Sequence, residues 1–410
     1  MKFGLIGKPI KHSYSPRIHE LLGISGYELC EVDNLAEFFE KRDFKGINVT
    51  IPYKVEAMKF CDELSETARQ IGAVNIVVKR EDGSLYGDNS DYYGFIRMVE
   101  NSQVSVTNKE CLVLGSGGVS KSVCKALESM GASKITVVSR NGDVNYENMY
   151  EYADTGVICN CTPAGSFPHT YELNVNVTRF QRLTGVIDVI YNPARTRLAL
   201  EADRQQIAYV TGLPMLVYQA AKTDEVFTGN KISEDRIHSV IKQLDFEMRN
   251  ILLIGMPGCG KSTIGASLSE KLGRELIDLD EEIEKHTGRK CAEIITNDGE
   301  AAFRTIETEM LEKFSRLSGK IISCGGGVIS PKQNRYIMKQ NAFVVWIQRN
   351  IDDLVTGGRP ISEMIGTHEL YRFREPLYIE SCDYTFFNDG DINSVTEKII
   401  RGLMDEDFSN

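Results

Sequence analysis

A glycine-rich stretch past the middle of the chain, residues 255–263, reads GMPGCGKST and follows the apolar run ILLI. It fits the pattern G-x-x-x-x-G-K-[ST], in which glycines turn backbone N–H groups toward phosphates and the following helix adds its partial positive charge. In such a loop the lysine reaches the β- and γ-phosphates and the serine hydroxyl holds Mg²⁺. The pattern therefore predicts phosphoryl transfer from a nucleoside triphosphate. The loop residues expected at the nucleotide are Gly255, Gly258, Gly260, Lys261, Ser262 and Thr263.

Polar residues in later stretches could bind the acceptor of that phosphoryl group. Asp278 and Asp280 follow a predicted strand, so one could serve Mg²⁺ while the other orients an attacking hydroxyl. Arg304 and Arg374 could clamp a carboxylate with paired hydrogen bonds. The glycines at 325–327 allow a small ligand to approach the backbone closely. Taken singly, the aspartates could also be a solvated helix start, and each arginine could form a surface ion pair.

A second glycine-rich turn lies at 111–123, CLVLGSGGVSKSV. Gly115, Gly117 and Gly118 stand between a predicted strand and helix, which is a weak dinucleotide-binding signature because a plain strand-to-helix turn looks the same. The next predicted strand ends in Ser139 and Arg140 rather than in an acidic residue. Since an arginine at this point suits the 2′-phosphate, the pattern favours NADP over NAD.

A further polar set occupies the first hundred residues. A lysine and an aspartate, Lys54 and Asp91, would form a proton-transfer pair if they met at a carbonyl beside a hydride donor. The hydroxyls of Ser13 and Ser15 suit a carboxylate. Alone, each of these residues is more often found in a turn or on the surface, and the aspartate in DNSD would ordinarily cap a helix. The neighbouring candidates are Asn48, Thr50 and Asn75.

These candidates require an α/β scaffold. Short strand-like runs such as FGLIG, CLVLG, GVICN, ILLIG and FVVWIQ alternate with helical patterns, which predicts parallel sheets with helices on both faces. The length of 410 residues indicates two or three compact units. A helix over 236–250 is predicted to close one unit, with a joint of a few residues at 245–250.

Composition narrows the functional classes. The net charge of −11 argues against general binding to nucleic acid or anionic membranes, so we expect small-molecule partners. No apolar run approaches the roughly 20 residues of a membrane span, and the first residues do not resemble a signal peptide. Ten cysteines without C-x-x-C pairs or zinc spacing indicate reduced thiols in the cytoplasm. The sequence does not predict the oligomeric state.

From about residue 250 onward the chain resembles shikimate kinase. The loop above is followed by D-x-D, F-R-x-x-E, G-G-G, a lid with R-P, and R-x-P-L-Y. The resemblance implies a parallel-sheet kinase fold like that of nucleoside-monophosphate kinases. It implies that Asp280 binds the acceptor hydroxyl and that Arg304, Gly326 and Arg374 bind shikimate. It also implies that Asp278 binds Mg²⁺ through water. It also places Arg359 over the transferring phosphate, although the lid here has no arginine immediately before TGG.

Nearly all of the first 245 residues resemble shikimate dehydrogenase. The signatures S-x-S-P, N-V-T-x-P-x-K, G-A-x-N, G-x-N-[TS]-D, G-x-G-G and Q-A-A occur in order. The resemblance implies that NADPH reduces 3-dehydroshikimate, with Lys54 moving the proton and Asp91 orienting it. It also places Tyr191 and Gln219 at the substrate, and Thr162 and Gly212 at the cofactor. Departures from the family are Glu20 after His19, a short stretch around 20–34, and Phe227 in place of tryptophan.

The two resemblances together predict a bifunctional enzyme of aromatic amino acid biosynthesis, in which one unit makes the hydroxyl that the other phosphorylates. The predicted domains are a substrate domain at 1–100 completed by 212–245, a Rossmann NADP domain at 101–211, and a kinase domain at 246–410. Alternatives that stay open are a preference for quinate, an inactive dehydrogenase half, and a ligand-sensing regulatory protein. Against the regulator stand the retained catalytic groups and the lack of a basic helix-turn-helix extension.

Overall fold

A computed structural model describes residues 2–11, 13–354 and 366–404 of the chain. The chain divides into two compact units, one comprising Met1–Tyr191 and Glu201–Leu244, the other Asn192–Leu200 and Asp245–Asn410. The first unit holds two sheets and the second unit holds one. The predicted α/β class is confirmed.

The first sheet has the strand order β2-β1-β3-β5-β6-β4. Its pairs are parallel except β3–β5 and β5–β6, which are antiparallel, so the expectation of purely parallel sheets was wrong here. The turn before Ser84, where Arg80 N–H donates to the Ser84 carbonyl, folds β5 onto β6 as a hairpin, and the longer connection over 50–75 brings β5 back antiparallel to β3. The strands are β1 (Phe3–Gly7), β2 (Tyr27–Glu31), β3 (Gly46–Val49), β4 (Glu63–Leu64), β5 (Ile76–Lys79) and β6 (Leu85–Asp88).

The second sheet, in the order β11-β10-β9-β7-β8, is parallel throughout. Its central strands are apolar and buried because both faces are covered, as parallel sheets require. The strands are β7 (Glu110–Leu114), β8 (Lys134–Val138), β9 (Thr155–Asn160), β10 (Gly185–Asp188) and β11 (Ala208–Val210).

The first eight helices of the chain connect or follow these strands, and two of them, 197–204 and 234–248, have residues in both units. Asn89 caps the fourth helix by accepting from the backbone N–H of Tyr92, so Asp91 lies in the first turn and is not the cap. The helices are α1 (Ser15–Leu22), α2 (Leu35–Lys41), α3 (Glu66–Ile71), α4 (Ser90–Glu100), α5 (Gly118–Ser129), α6 (Arg197–Arg204), α7 (Leu213–Thr228) and α8 (Glu234–Met248). Because α8 ends at Met248 and the next strand begins at Asn250, the predicted joint at 245–250 is mostly helical.

The third sheet, in the order β13-β14-β12-β15-β16, is also parallel. All five residues of its central strand β12 are buried, and Ile251, Leu252, Leu253 and Ile254 belong to one apolar core. The strands are β12 (Asn250–Ile254), β13 (Leu276–Asp278), β14 (Ile321–Ser323), β15 (Ala342–Gln348) and β16 (Tyr384–Phe387). The helices are α9 (Lys261–Leu272), α10 (Leu279–Thr287), α11 (Cys291–Asp298), α12 (Glu300–Ser315), α13 (Lys332–Asn341), α14 (Thr367–Ser381) and α15 (Ile392–Met404).

Candidate active sites

The first sheet brings the predicted proton-transfer pair together. Lys54 follows β3, and Asp91 follows β6 in the first turn of α4. Because β5 is antiparallel to both strands, Asn75, just before β5, lies at the same sheet edge. Lys54 Nζ donates to Asp91 Oδ2 at 2.6 Å, and Asn75 Nδ2 donates to Asp91 Oδ1 at 2.9 Å. With both carboxylate oxygens engaged, the aspartate has one orientation and fixes the ammonium.

Gln219 on α7 joins this group through a serine. Ser90 Oγ donates to Gln219 Oε1 at 3.2 Å and accepts from Asn75 Nδ2 at 3.1 Å. Asn48 lies behind them and is 6% exposed, and its Nδ2 donates to the Asn75 carbonyl at 3.1 Å. Lys54, Asp91, Asn75 and Gln219 therefore form one connected polar cluster with Asn48 beneath it.

The two predicted carboxylate-binding hydroxyls lie side by side. Ser13 Oγ and Ser15 Oγ are 3.0 Å apart, and the Ser15 backbone N–H donates to Ser13 Oγ at 3.2 Å. Between them in sequence, Tyr14 packs edge-on against Tyr191, with ring centroids 6.3 Å apart. Burial raises the pKa of Tyr191, so its hydroxyl stays protonated and can donate. Thr50 packs against Gly7, where an added Cβ would lie 2.3 Å from the threonine methyl.

The glycine-rich turn after β7 is built as a strand-to-helix junction. Gly115 has φ of +101°, and an added Cβ would meet the Thr162 methyl at 2.9 Å, so glycine is required there. Gly117 caps α5, and at Gly117 and Gly118 an added Cβ would meet nothing within 4 Å. Ser120 replaces a third glycine and donates to the Gly117 carbonyl at 2.6 Å. The open space above the start of α5 suits a pyrophosphate.

The ends of the neighbouring strands supply the rest of this turn. The exposed Arg140 follows Ser139 at the end of β8, next to the glycine turn in the sheet order. Thr162 follows β9, and its hydroxyl donates to Asn160 Oδ1 at 2.7 Å. Gly212 begins α7, where an added Cβ would lie 2.1 Å from the Val189 carbonyl oxygen. A positive side chain beyond an open glycine turn matches a dinucleotide that carries an extra phosphate.

In the second unit a cavity of about 570 Å³ lies where the strand ends of the third sheet meet. The phosphate loop follows β12, Asp278 ends β13, and the glycines 325–327 follow β14. Both charge signs line the cavity, with cationic Lys261, Arg304, Arg349 and Arg374 and anionic Asp278, Asp280 and Glu307. Its remaining polar and glycine lining includes Gly258, Gly260, Ser262, Thr263, Ser323, Gly325, Gly326 and Gly327.

The lysine of the phosphate loop is hydrogen-bonded to the backbone of the loop itself. Lys261 is 8% exposed, and its Nζ donates to the carbonyls of Gly255 and Met256 at 3.0 Å each. Gly258 and Gly260 have φ of +83° and +100°, which lets the loop turn into α9. The loop therefore presents backbone N–H groups and a helix start around a held cation, as phosphate binding requires.

A hydroxyl and a carboxylate meet beside this loop. Ser262 Oγ donates to Asp278 Oδ2 at 2.7 Å, and Asp278 both ends β13 and caps α10. Asp280 lies in the first turn of α10. Mg²⁺ fits this pair, because it usually takes one or two protein oxygens together with phosphates and water. Among the described residues, no cluster of His, Cys, Asp and Glu could hold a metal alone.

The carboxyl groups of the cavity differ in exposure, because Glu307 is fully buried whereas Asp280 is exposed to solvent. Partial desolvation in the cavity, and next the charge of Asp278, raise the pKa of Asp280. Burial raises the pKa of Glu307 to about 7, although Arg304 Nη1 donates to its Oε2 at 2.7 Å. The other oxygen, Oε1, is buried without a partner and lies 2.8 Å from where a Cβ of Gly325 would be. A carboxylate oxygen without a partner in a polar cavity is suited to a hydroxyl-bearing ligand.

Two guanidinium groups converge on the same cavity. Arg374 is 3% exposed, and burial lowers its pKa, with the charge of Arg304 lowering it further. An added Cβ at Gly327 would lie 2.0 Å from Arg304 Nη2, so this glycine makes room for the arginine. Tyr378 donates to the Gly326 carbonyl and fixes the glycine turn. Since two buried cations repel each other, a bound carboxylate would relieve that repulsion.

Comparison with known proteins identifies a family for each part of the chain. Residues 5–77 match the family model of the shikimate dehydrogenase substrate binding domain, and residues 257–404 match that of shikimate kinase. A shikimate dehydrogenase (NADP(+)) of Clostridium perfringens (strain 13 / Type A) is 34% identical over 265 residues, covering 59% of this chain and 97% of the relative. The chain belongs to the shikimate dehydrogenase family. A shikimate kinase domain follows in the same chain.

Solved structures resemble the dehydrogenase part. One is a chorismate mutase/shikimate 5-dehydrogenase fusion protein from Clostridium acetobutylicum, with a TM-score of 0.56 and 38% identity over 59% of this chain and 96% of that one. Another is shikimate 5-dehydrogenase from Thermus thermophilus in complex with NADP(H) and shikimate, with a TM-score of 0.52 and 27% identity over 59% and 99% of the two chains. The family resemblances drawn from the motifs are confirmed.

Sequence reasoning missed two residues of the kinase cavity. Glu307 is part of the F-R-x-x-E motif, but its position alone does not show that its carboxylate faces the cavity. Arg349, just after β15, also lines the cavity and could have been found as a cation at the end of a central parallel strand. Arg359 lies outside the described residues.

The described residues contain no helix that is long and apolar enough to cross a membrane.

Proposed function

We propose that this protein catalyses two consecutive reactions of aromatic amino acid biosynthesis. The first unit reduces 3-dehydroshikimate to shikimate with NADPH, and the kinase domain phosphorylates shikimate to shikimate 3-phosphate with ATP. The observation that carries the proposal is that one chain holds both a Lys54–Asp91 pair at 2.6 Å and a phosphate-loop cavity lined by Arg304 and the buried Arg374. The first site makes the hydroxyl that the second esterifies.

In the dehydrogenase, Lys54 supplies the proton that reaches the former ketone oxygen as the carbon receives a hydride. NADPH supplies that hydride when bound. Asp91 Oδ2 accepts a hydrogen bond from the Lys54 ammonium at 2.6 Å and stabilises its charged form. The ammonium is therefore held in one position for proton transfer. Ser13 and Ser15 bind the substrate carboxylate. The other residues proposed to bind the substrate are Asn48, Thr50, Asn75, Tyr191 and Gln219. Of these, Asn48 lies behind the others and donates a hydrogen bond to the Asn75 carbonyl.

NADPH binding is assigned to the second sheet of the same unit. The pyrophosphate would lie over the start of α5 at Gly115, Gly117 and Gly118, where the structure leaves open space. Ser139 and Arg140 would bind the 2′-phosphate, which explains a preference for NADP over NAD. Thr162 and Gly212 form the edges of the groove at the ends of neighbouring strands.

In the kinase, Asp280 orients the acceptor hydroxyl of shikimate and accepts its proton. Arg304, Arg374 and the backbone of Gly326 bind the ring of shikimate and its carboxylate. Lys261 binds the phosphates of ATP together with Gly258, Gly260 and Thr263. Mg²⁺, held by Ser262 and by Asp278 through water, would neutralise phosphate charge. We also propose Arg359 as the residue that closes over the transferring phosphate.

We further propose that the protein works in the cytoplasm with small molecules as its partners. All ten cysteines are free, as in a reducing compartment, and the net charge of −11 disfavours nucleic acid. The three domain ranges, 1–100 with 212–245, 101–211 and 246–410, are proposed as the functional division of the chain.

A coupled assay tests the proposal. Purified protein is mixed with 3-dehydroshikimate, NADPH, ATP and Mg²⁺, NADPH oxidation is followed by absorbance, and the product is identified by mass. We expect shikimate 3-phosphate, and we expect free shikimate when ATP is left out. If neither product forms while both units are folded, the bifunctional assignment is wrong. Quinate with NADP⁺ serves as the comparison substrate for specificity.

A further inference from the structure

A buried polar chain runs beneath the dehydrogenase site and ends on its proton-transfer pair. It begins at Asp224 on α7, where Oδ1 lies 2.5 Å from His19 Nδ1 on α1, and both residues are at most 2% exposed. The His19 ring stacks on Tyr27 of β2, with centroids 4.0 Å apart and planes 14° apart. The pair thus clamps the tyrosine ring in one orientation.

The tyrosine hydroxyl meets the amide of Asn48. Tyr27 donates to Asn48 Oδ1 at 2.6 Å, and the Asn48 Nδ2 donates to the Asn75 carbonyl and to Thr223 Oγ1, each at 3.1 Å. The Thr223 hydroxyl donates onward to the Gln219 carbonyl at 2.9 Å, so it can only accept from the amide. Every donor and acceptor therefore agrees with a single amide orientation.

From these observations we propose that Tyr27 is a positioning residue for the dehydrogenase reaction, acting through Asn48. Were the amide reversed, its oxygen would face the Asn75 carbonyl, and two acceptors would oppose each other in a buried place. Asn75 is the residue whose Nδ2 holds Asp91 Oδ1, leaving Oδ2 for Lys54. The hydroxyl of Tyr27 thus keeps the carbonyl of Asn75 bound, and through it the carboxylate that aims the ammonium.

The contact between Asp224 and His19 holds the imidazole ring on which Tyr27 stacks. Burial raises the pKa of Asp224, and its second oxygen Oδ2 is buried without a partner. The carboxyl is therefore bound through Oδ1 to His19, and the function of that bond is to keep the histidine ring flat against Tyr27. A structural tyrosine would need only its ring to be packed, whereas here the hydroxyl is the link to the site.

Tyr27→Phe is the informative change, because it removes the hydroxyl and keeps the ring that stacks on His19. We expect the dehydrogenase kcat to fall about tenfold, since small misplacements of reacting groups are costly, while the KM for shikimate changes less than threefold. The matched control is Tyr218→Phe. That hydroxyl is also in the interior and contacts Glu234 and His238, but it has no link to Asn48, and kcat should stay within twofold of wild type.

A double-mutant cycle separates positioning from a loss of stability. In an Asn48→Ala background, Tyr27→Phe should lower kcat by less than twofold further, because its target is already absent. A further loss of about tenfold when Tyr27→Phe is added to Asn48→Ala, or a kcat of Tyr27→Phe within twofold of wild type, would overturn the proposal. Asn48→Ser serves if the alanine variant does not fold, as judged by thermal unfolding.

The inference rests on the proposed dehydrogenase activity, and the two can fail separately. An inactive wild-type protein with an intact fold removes the proposed function, whereas an active wild type with an unaffected Tyr27→Phe variant removes only the positioning role.

Discussion

Asp280 and Glu307 face the same point in the kinase cavity, directly above Gly325. A Cβ added to this glycine would lie 3.0 Å from Asp280 Oδ1 and 2.8 Å from Glu307 Oε1. Desolvation raises the pKa of each carboxyl, that of Glu307 to about 7. Below about pH 7 the glutamate therefore holds a proton.

The raised pKa of Glu307 makes the stability of the kinase unit depend on pH. Between the ordinary value of 4.5 and about 7 the folded state binds more protons than the unfolded state, so stability falls as pH rises. We expect wild type to lose about 3 kcal/mol relative to Glu307→Gln across this window. The measurement is urea unfolding followed by fluorescence of Trp346, the one tryptophan of the chain, which lies in β15 of this unit.

Glu309→Gln is the control for this experiment, because Glu309 is exposed on the same helix α12. Its unfolding free energy should follow that of wild type at every pH. Parallel curves for wild type and Glu307→Gln would contradict the predicted proton on Glu307.

Gly327→Ala should damage shikimate binding in the kinase. The new methyl group would lie 2.0 Å from Arg304 Nη2 and 2.4 Å from its Cζ, so the guanidinium must leave its place. Loss of a charge-assisted contact of about 1.5–3 kcal/mol predicts a rise in the KM for shikimate of at least about tenfold, with the KM for ATP nearly unchanged. Steady-state kinetics of the kinase reaction measure both constants.

The control is Gly402→Ala on α15, where an added Cβ meets the Phe386 ring at 3.0 Å, and neither residue lines the cavity. It imposes a milder crowding in the same unit without moving Arg304. An equal rise in the KM for shikimate in both variants would mean that Gly327 affects folding and not the arginine.

The two activities should be separable by single substitutions. Lys54→Ala removes the ammonium held 2.6 Å from Asp91 and should lower NADPH oxidation by a factor of about 10² to 10⁴, leaving phosphorylation intact. Lys261→Ala should abolish phosphorylation and leave NADPH oxidation intact. Each variant is the control for the other, and loss of both activities in one folded variant would refute independent sites.

The motifs predicted the α/β class and the chemistry because their residues are close in sequence and follow strands. Parallel strand ends share one edge of a sheet, so Asp278 and the glycines 325–327 could be expected near the phosphate loop. What the motifs could not show are contacts set by packing between distant elements. The link from Tyr27 to Asn48 joins two strands through one hydroxyl. No local spacing encodes it.

The mixed order of the first sheet shows the same limit. The run NIVVK was predicted as a strand, but its direction relative to β3 depends on the path of the connection over 50–75, which alternation of strands and helices does not describe. Direction matters here, because antiparallel β5 is what brings Asn75 to the edge that holds Lys54 and Asp91. The candidate residues could be named from sequence, whereas their arrangement required the fold.

Arg140 should determine the preference for NADP. It is exposed at the end of β8 beside the open glycine turn, where a 2′-phosphate would need a cation. Arg140→Ala should weaken NADP⁺ binding at least about tenfold, the loss of one charge-assisted hydrogen bond, and leave NAD⁺ binding unchanged. Isothermal titration calorimetry with each dinucleotide measures this directly, without turnover.

Arg179→Ala is the matched control for that change. Arg179 is exposed in the same unit and stacks on the Tyr150 ring at 3.6 Å, so its removal lowers the net charge equally at a different place. If the two variants lose NADP⁺ affinity to the same extent, the effect comes from overall charge. A loss confined to Arg140→Ala assigns the 2′-phosphate to that side chain, because only a direct contact distinguishes two dinucleotides that differ by one phosphate.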